Sequence, residues 1–270
     1  MHSERNDFLA VATEAAKLGG RIILDNLGRI DKKDIGIKQT SDFVTRADKE
    51  SETTIIRTIK KNFPDHHFLA EESVKAIETD GYRWIIDPLD GTTNFIHRYP
   101  VFSVSIALQY KREIILGVIY EPLKNDLFTA QQGRGAFLNG ALIRVSQTTT
   151  LKNSLIATGF PFRRKELIDS YLGLFRNIFL RVSDLRRGGS AALDLAYVAC
   201  GRCEGFFEIG LSPWDIAAGD LLIREAGGIV TDFGEGRDYL STGNIVAGVP
   251  GIHSKLIGEI KKVFAGILDK

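Results

Sequence analysis

Trp84-Ile85-Ile86-Asp87-Pro88-Leu89-Asp90-Gly91-Thr92-Thr93-Asn94 carries an apolar strand into a turn that holds two carboxylates. Proline is expected to stop the strand, Gly91 to let the chain fold tightly, and Thr92 and Thr93 to begin a helix whose free N–H groups face whatever the aspartates hold. Hard cations take oxygen ligands and phosphate takes N–H donors, so one turn offers both. Asp, Pro, Gly and Asn are also ordinary turn residues, and the stretch alone leaves a plain turn open. An EF-hand fails on spacing, because counting from Asp87 puts Leu89 at position 3 and Thr92 at position 6. No Walker A loop occurs in the chain.

Working outward, Phe68-Leu69-Ala70-Glu71-Glu72-Ser73 sets two glutamates at the end of another apolar run, and Ser212-Pro213-Trp214-Asp215 reads as the start of a helix. There Ser is the N-cap, Pro the first helical residue and Asp the closing member of a capping box. Each stretch has a bland reading by itself. Together Glu71, Asp87, Asp90 and Asp215 supply four carboxylates at element ends, beside glycine turns and helix N-termini.

The remaining pattern divides in two. A helix is expected from about Asn6 to Leu27, a mobile loop from Gly28 to Asp42, and a second helix opened by the capping box Thr45-Arg46-Ala47-Asp48 and ended by Phe63-Pro64. Short β-rich runs follow at His67 to Ala70, Trp84 to Ile86, Val101 to Tyr110, Ile114 to Tyr120 and Asp126 to Ala130, mostly an antiparallel meander, with Asn139-Gly140 as a hairpin turn. After Pro161 helices are expected over Arg163 to Phe179, Ser190 to Cys200, Pro213 to Ala226 and Ile252 to Ile267. Strands are expected at Gly205 to Ile209, Gly228 to Thr231 and Asn244 to Ala247. No linker separates the halves, so residues 1–150 and 151–270 should pack as one unit around a cleft.

Thirty-five basic against 34 acidic residues exclude a global field for nucleic acid, so anion specificity must be local. No apolar run spans a bilayer, and the charged Met1 to Asp7 segment does not read as a secretory signal, which points to the cytoplasm. Cys200 and Cys203 form a C-x-x-C pair at the end of an apolar helix, with no second pair at zinc spacing, and are expected to be buried and chemically quiet.

The combination resembles the inositol monophosphatase family. Its first signature reads here as Trp84 to Asn94, and its second as Pro213-Trp214-Asp215-Ile216-Ala217-Ala218-Gly219 followed by Glu225-Ala226-Gly227-Gly228. The likeness extends to Glu71-Glu72-Ser73, to Lys38 with Asp42-Phe43-Val44-Thr45-Arg46-Ala47-Asp48, and to Gly189-Ser190-Ala191-Ala192, so it covers nearly the whole chain. It implies an α/β fold, a layered α-β-α-β-α sandwich of the inositol monophosphatase and fructose-1,6-bisphosphatase type.

The resemblance also implies Mg²⁺, two or three ions per subunit. Glu71, Asp87 and the Leu89 carbonyl would hold the first, and Asp87, Asp90 and Asp215 the second, with Asp87 bridging. Thr92, supported by Asp48, would orient the attacking water, while the N–H groups of Gly91, Thr92 and Thr93 would hold phosphate. Ala191 and Glu208 would meet substrate hydroxyls, and Lys38 would close over phosphate. The implied reaction is hydrolysis of a small sugar or polyol phosphate, foremost myo-inositol 1-phosphate, by a lithium-sensitive homodimer. Two alternatives remain open. Fructose 1,6-bisphosphate would need cations for its second phosphate, for which Arg163, Arg164, Arg186 and Arg187 are candidates. The stretches from Thr158 to Phe162 and Arg186 to Tyr197 are also similar to a bacterial branch that joins RNA polymerase in transcription antitermination.

Overall fold

The computed structural model describes residues 2–29, 35–39, 42–73 and 80–268. Helices α1 (His2–Asn26) and α2 (Arg46–Asn62) form one outer layer on a sheet of seven strands: β3 (His67–Ala70), β4 (Tyr82–Asp90), β5 (Ser103–Tyr110), β6 (Glu113–Glu121), β7 (Asp126–Gln131), β8 (Ala136–Leu138) and β9 (Ala141–Ile143), hydrogen-bonded in that order. A central layer, α5 (Ala191–Ala199) and α6 (Pro213–Glu225), covers the other face of this sheet. A second sheet lies beyond it, ordered β11 (Asp184–Arg186), β10 (Leu155–Thr158), β12 (Gly205–Glu208), β14 (Ile245–Gly248), β13 (Ile229–Thr231). Helices α4 (Ile168–Phe179) and α8 (Pro250–Phe264) close the far side, and the short α7 (Tyr239–Thr242) contacts α6. The five layers are those of the expected α-β-α-β-α sandwich.

Side-chain alternation explains why the first sheet is sandwiched. Trp84 and Ile86 enter the core under α1 and α2, while Ile85 enters the core shared with α5, α6 and the second sheet. Both faces of β4 are therefore apolar, and each fully buried aliphatic side chain there stabilises the fold by roughly 1.5–3 kcal/mol. Asp87 follows Ile85 by two residues and so points to the α5/α6 side.

Pairing direction places the site. Strands β3 and β4 run parallel with Ala70 opposite Ile86, so Glu71 and Asp87 emerge side by side. In the second sheet β10 and β12 are also parallel, with Thr158 opposite Phe207, so Gly159 and Glu208 leave the sheet at the same edge.

Several expectations change. Pro88 does not end β4: pairing with β5 is interrupted between Asp87 and Asp90 and resumes at Asp90 opposite Ser103, so proline sits in a bulge where no ladder N–H is needed. Part of the segment read as a loop is a hairpin, β1 (Ile35–Gln39) pairing antiparallel with β2 (Asp42–Thr45). Two isoleucines in five residues are too short an alternation to stand out among charges. The helix expected from Arg163 starts at Ile168 after a 3₁₀ turn, and Phe162 and Arg163 line a cleft instead. Strands β10 and β11 carried no clear pattern. Asn139 and Gly140 do form the β8–β9 turn, with φ of 51° and 80°. Cys200 caps α5, and burial pushes the Cys203 thiol up to about 12.

Candidate active site

A cleft of about 350 Å³ opens where the ends of β4, β10 and β12 meet the starts of α5, α6 and the short helix α3 (Thr92–Ile96). Its walls include Glu71, Asp87, Leu89, Asp90, Gly91, Thr92, Thr93, Ala191, Glu208 and Asp215, ten of the twelve residues singled out from the sequence. Asp48 stands behind Thr92. Lys38 has its backbone in β1, but its side chain lies outside the described residues.

Carboxylate oxygens of Asp87, Asp90 and Asp215 all lie within 4.8 Å of one another, and all three residues are buried. Each is fixed by local chemistry. Asp87 Oδ1 accepts the Leu89 N–H at 2.9 Å across the bulge. Asp90 Oδ2 accepts the Ala192 N–H at 2.8 Å and the Ser190 hydroxyl, so the first turn of α5 holds it. Asp215 Oδ2 accepts the Ser212 N–H at 2.8 Å in the expected capping box, and the same carboxylate belongs to the cluster. Asp215 thus closes the capping box and stands in the carboxylate cluster with the same side chain.

The cluster is short of positive charge. Burial pushes the Asp90 carboxyl up to about 7, the neighbouring Asp215 charge adding to it and the Ser190 and Ala192 bonds opposing. Burial likewise raises Asp215 to about 6 against the pull of Arg163, whose Nη1 lies 3.5 Å from Oδ2. Asp87 is raised well above the usual carboxylate range by burial, and further by Glu71, Asp90 and Asp215. Three anionic groups so close and so desolvated fit a hard divalent cation bound by oxygen.

Next to the cluster, Thr92 Oγ1 is 2.9 Å from Asp48 Oδ1 and 3.1 Å from the Leu89 carbonyl. Asp48 Oδ2 accepts the Thr45 N–H and hydroxyl in the α2 capping box, and burial raises its carboxyl to about 6. Gly91 has φ +98°, and a Cβ there would lie 3.0 Å from the Val101 carbonyl, so this turn needs glycine. The N–H groups that follow have no partner within α3.

The opposite wall is different. Glu208 ends β12 but is only 5% exposed, so it is not the solvent-facing strand end that its position allows. It sits against Gly159, where a Cβ would lie 2.0 Å from its carboxyl carbon. Asp194, in the first turn of α5 and equally buried, shares this wall with Arg187. Burial raises both carboxyls well above the usual range, and Arg187 opposes the shift in each. Of the four arginines considered for a second phosphate, Arg163 and Arg187 line the cleft, while Arg164 and Arg186 pair at the surface with Glu166 and Asp184.

Sequence reading missed Ser190 as the residue that holds Asp90, Asp194 as a wall carboxylate, and Asn94. Asn94 Nδ2 donates to the carbonyls of Val101 at 2.7 Å and Gly188 at 2.9 Å, tying the first-sheet turn to the approach to α5. A Ser at an N-cap was the only one of these with a readable local signal.

Comparison with known proteins matches this geometry. The sequence model of the inositol monophosphatase family covers residues 4–264. A protein named Nus factor SuhB from Salmonella typhimurium is 48% identical over 263 residues, 97% of this chain and 98% of that protein. Its namesake from Escherichia coli has the same identity and coverage. Among solved structures, the extragenic suppressor protein suhB from Bartonella henselae superposes with a TM-score of 0.91 at 44% identity, covering 95% of this chain and 99% of that one. An inositol monophosphatase from Anabaena (Nostoc) sp. PCC 7120 gives 0.85 at 42% identity, covering 96% of each. With these relatives and its own two signatures at the cleft, the chain belongs to the inositol monophosphatase family.

Proposed function

We propose that the protein is a Mg²⁺-dependent phosphatase that hydrolyses small sugar or polyol phosphate monoesters, myo-inositol 1-phosphate foremost. The observation that carries the reading is the convergence of Asp87, Asp90 and Asp215 beside Thr92, itself held by Asp48. Glu71, Asp87 and the Leu89 carbonyl would hold one ion, and Asp87, Asp90 and Asp215 a second. Bound Mg²⁺ would supply an activated water and neutralise charge on the leaving oxygen.

The chain's own groups account for positioning. Thr92 Oγ1, with its proton directed to Asp48 Oδ1 or the Leu89 carbonyl, keeps lone pairs to orient water in line with phosphorus. An Asp48 carboxyl near 6 is suited to take up a proton through that hydroxyl at neutral pH. The N–H groups of Gly91, Thr92 and Thr93 receive phosphate oxygens. Glu208 would accept from paired substrate hydroxyls with Ala191 in the same cleft, and the family likeness adds Lys38 as a phosphate contact. On this reading residues 1–270 act as one catalytic unit, the first half supplying most ligands and the second supplying Ala191, Glu208 and Asp215. We extend the family's homodimer, lithium sensitivity and cytoplasmic location to this chain on the same basis. No described helix is long and apolar enough to cross a membrane.

A panel of inositol 1-phosphate, fructose 1,6-bisphosphate, glycerol 2-phosphate and 3′-phosphoadenosine 5′-phosphate, assayed for phosphate release with Mg²⁺, tests the activity and ranks substrates. Inositol 1-phosphate should lead. A preference for the bisphosphate would turn attention to Arg163 and Arg187. A second reading is favoured by the relatives named Nus factor SuhB: association with RNA polymerase in antitermination. It would use the surface and not the carboxylate cleft, so a pull-down with polymerase from the source cell should succeed equally with wild type and with Asp90→Asn.

A further inference from the structure

We infer that Glu52 is a positioning residue for divalent-cation binding, acting through the turn that carries Glu71; this rests on the metal-dependent reading above. Asp48, Ser51 and Glu52 occupy one face of α2, at spacings of three and four residues, and all three are buried. That face grips three separate parts of the cleft. Asp48 takes Thr92, and the Ser51 hydroxyl donates to the Pro88 carbonyl at 3.0 Å in the β4 bulge. Glu52, only 2% exposed, accepts the Glu72 N–H at 2.8 Å through Oε2 and the Ser73 hydroxyl through Oε1.

The turn after β3 is thus held on both sides of Glu71. The Glu71 N–H donates to the Ile86 carbonyl at 3.2 Å, which ties the residue to β4, and the next two residues are tied to α2 by one carboxylate. A buried carboxylate is costly unless its lone pairs are satisfied, and here they are satisfied by this turn. Without Glu52, Glu71 would keep its backbone bond to β4 but lose the hold of α2 on the two residues that follow it in the cleft wall. Groups that orient the ligands of a metal typically contribute about 10- to 100-fold in metal affinity.

The test is Mg²⁺ binding to the full chain by isothermal titration calorimetry without substrate, together with kinetics on inositol 1-phosphate. Glu52→Ala should weaken Mg²⁺ about tenfold or more. At saturating Mg²⁺ its substrate KM should stay within about twofold of wild type, because the phosphate and hydroxyl contacts are elsewhere. Glu52→Gln should recover most of the affinity, since its amide oxygen accepts from Glu72 and its amino group donates to Ser73 Oγ. If Glu52→Ala does not fold, Ser73→Ala decides, with an expected loss of about two- to tenfold in Mg²⁺ affinity for one bond removed. Unchanged affinity in a folded Glu52→Ala, or in Ser73→Ala where the former does not fold, overturns the inference. So does a Glu52→Gln as weak as Glu52→Ala. A wild type that binds Mg²⁺ but releases no phosphate defeats the phosphatase reading alone, and one that binds no divalent cation defeats both.

Discussion

Asp90 and Asp215 each accept hydrogen bonds from the start of a helix, whereas Glu208 and Asp194, across the same cleft, accept none from any described side chain or N–H. Both pairs are buried, so the contrast is not one of solvent. The first pair is locked by backbone donors, and nearby anions leave it in need of a cation. The second faces the Arg187 charge without such donors, and Glu208 has its place because residue 159 has no Cβ. On the proposed function one wall would serve the metal charge and the other recognition of the substrate, so damage to each should be separable.

Breaking the charged wall should have the largest effect. Asp90→Asn keeps the shape of the turn but removes a negative ligand, and should cost at least about 4 kcal/mol of transition-state stabilisation, roughly a thousandfold in turnover, with little change in fold. Circular dichroism and phosphate release on the same sample check this. Breaking the recognition wall should cost less and depend on substrate. Glu208→Gln should lower kcat/KM for inositol 1-phosphate about ten- to a hundredfold more than for a simple aryl phosphate, because only the polyol loses a charge-assisted bond. Equal losses on both substrates would instead make Glu208 a support for the metal site.

A smaller change sharpens the same point. The backbone at Gly159 is not left-handed, so alanine is strained there only by the Glu208 carboxyl. Gly159→Ala should displace that side chain and reproduce the substrate-selective loss at about tenfold. Retained selectivity would show that Glu208 does not need its present seat.

The smallest effect is on stability. Carboxyls raised to about 7 at Asp90 and about 6 at Asp215 and Asp48 bind protons more tightly folded than unfolded. They stabilise the metal-free fold below about pH 4, and that contribution is lost as pH rises through about 6 to 7. Mg²⁺ offsets the exposed charge only after the protons leave. The gain in melting temperature from Mg²⁺ over chelator should therefore grow by a few degrees from pH 5 to pH 8, as scanning calorimetry would record. A gain independent of pH would contradict the charge assignment at this wall.

How much of this could be read in the sequence follows the same division. Residues that begin or end elements were legible, since Glu71, Asp87, Asp90 and Asp215 sit beside Pro, Gly and Ser signals that mark a turn or cap. Much of the order of strands and helices was legible through periodicity, though β1, β2, β10 and β11 were not, and the layers came from the family likeness. Residues whose role depends on a distant partner were not. Glu52 is one more acid on a helix until Glu72 and Ser73 are packed on it, and Gly159 carries no local signal of its role until Glu208 lies against it. Pro88 misled because proline ends strands in general, and only the skipped pairing with β5 shows why it is tolerated here.

If the Asp87, Asp90 and Asp215 cluster makes the cleft a metal-dependent phosphomonoesterase, activity must depend on both the cluster and the cation. That dependence is tested most directly by phosphate release from myo-inositol 1-phosphate by wild type and Asp90→Asn, each with Mg²⁺ and with EDTA. Release is expected only from wild type with Mg²⁺. Release that survives EDTA, or that proceeds at the wild-type rate in Asp90→Asn, would contradict it.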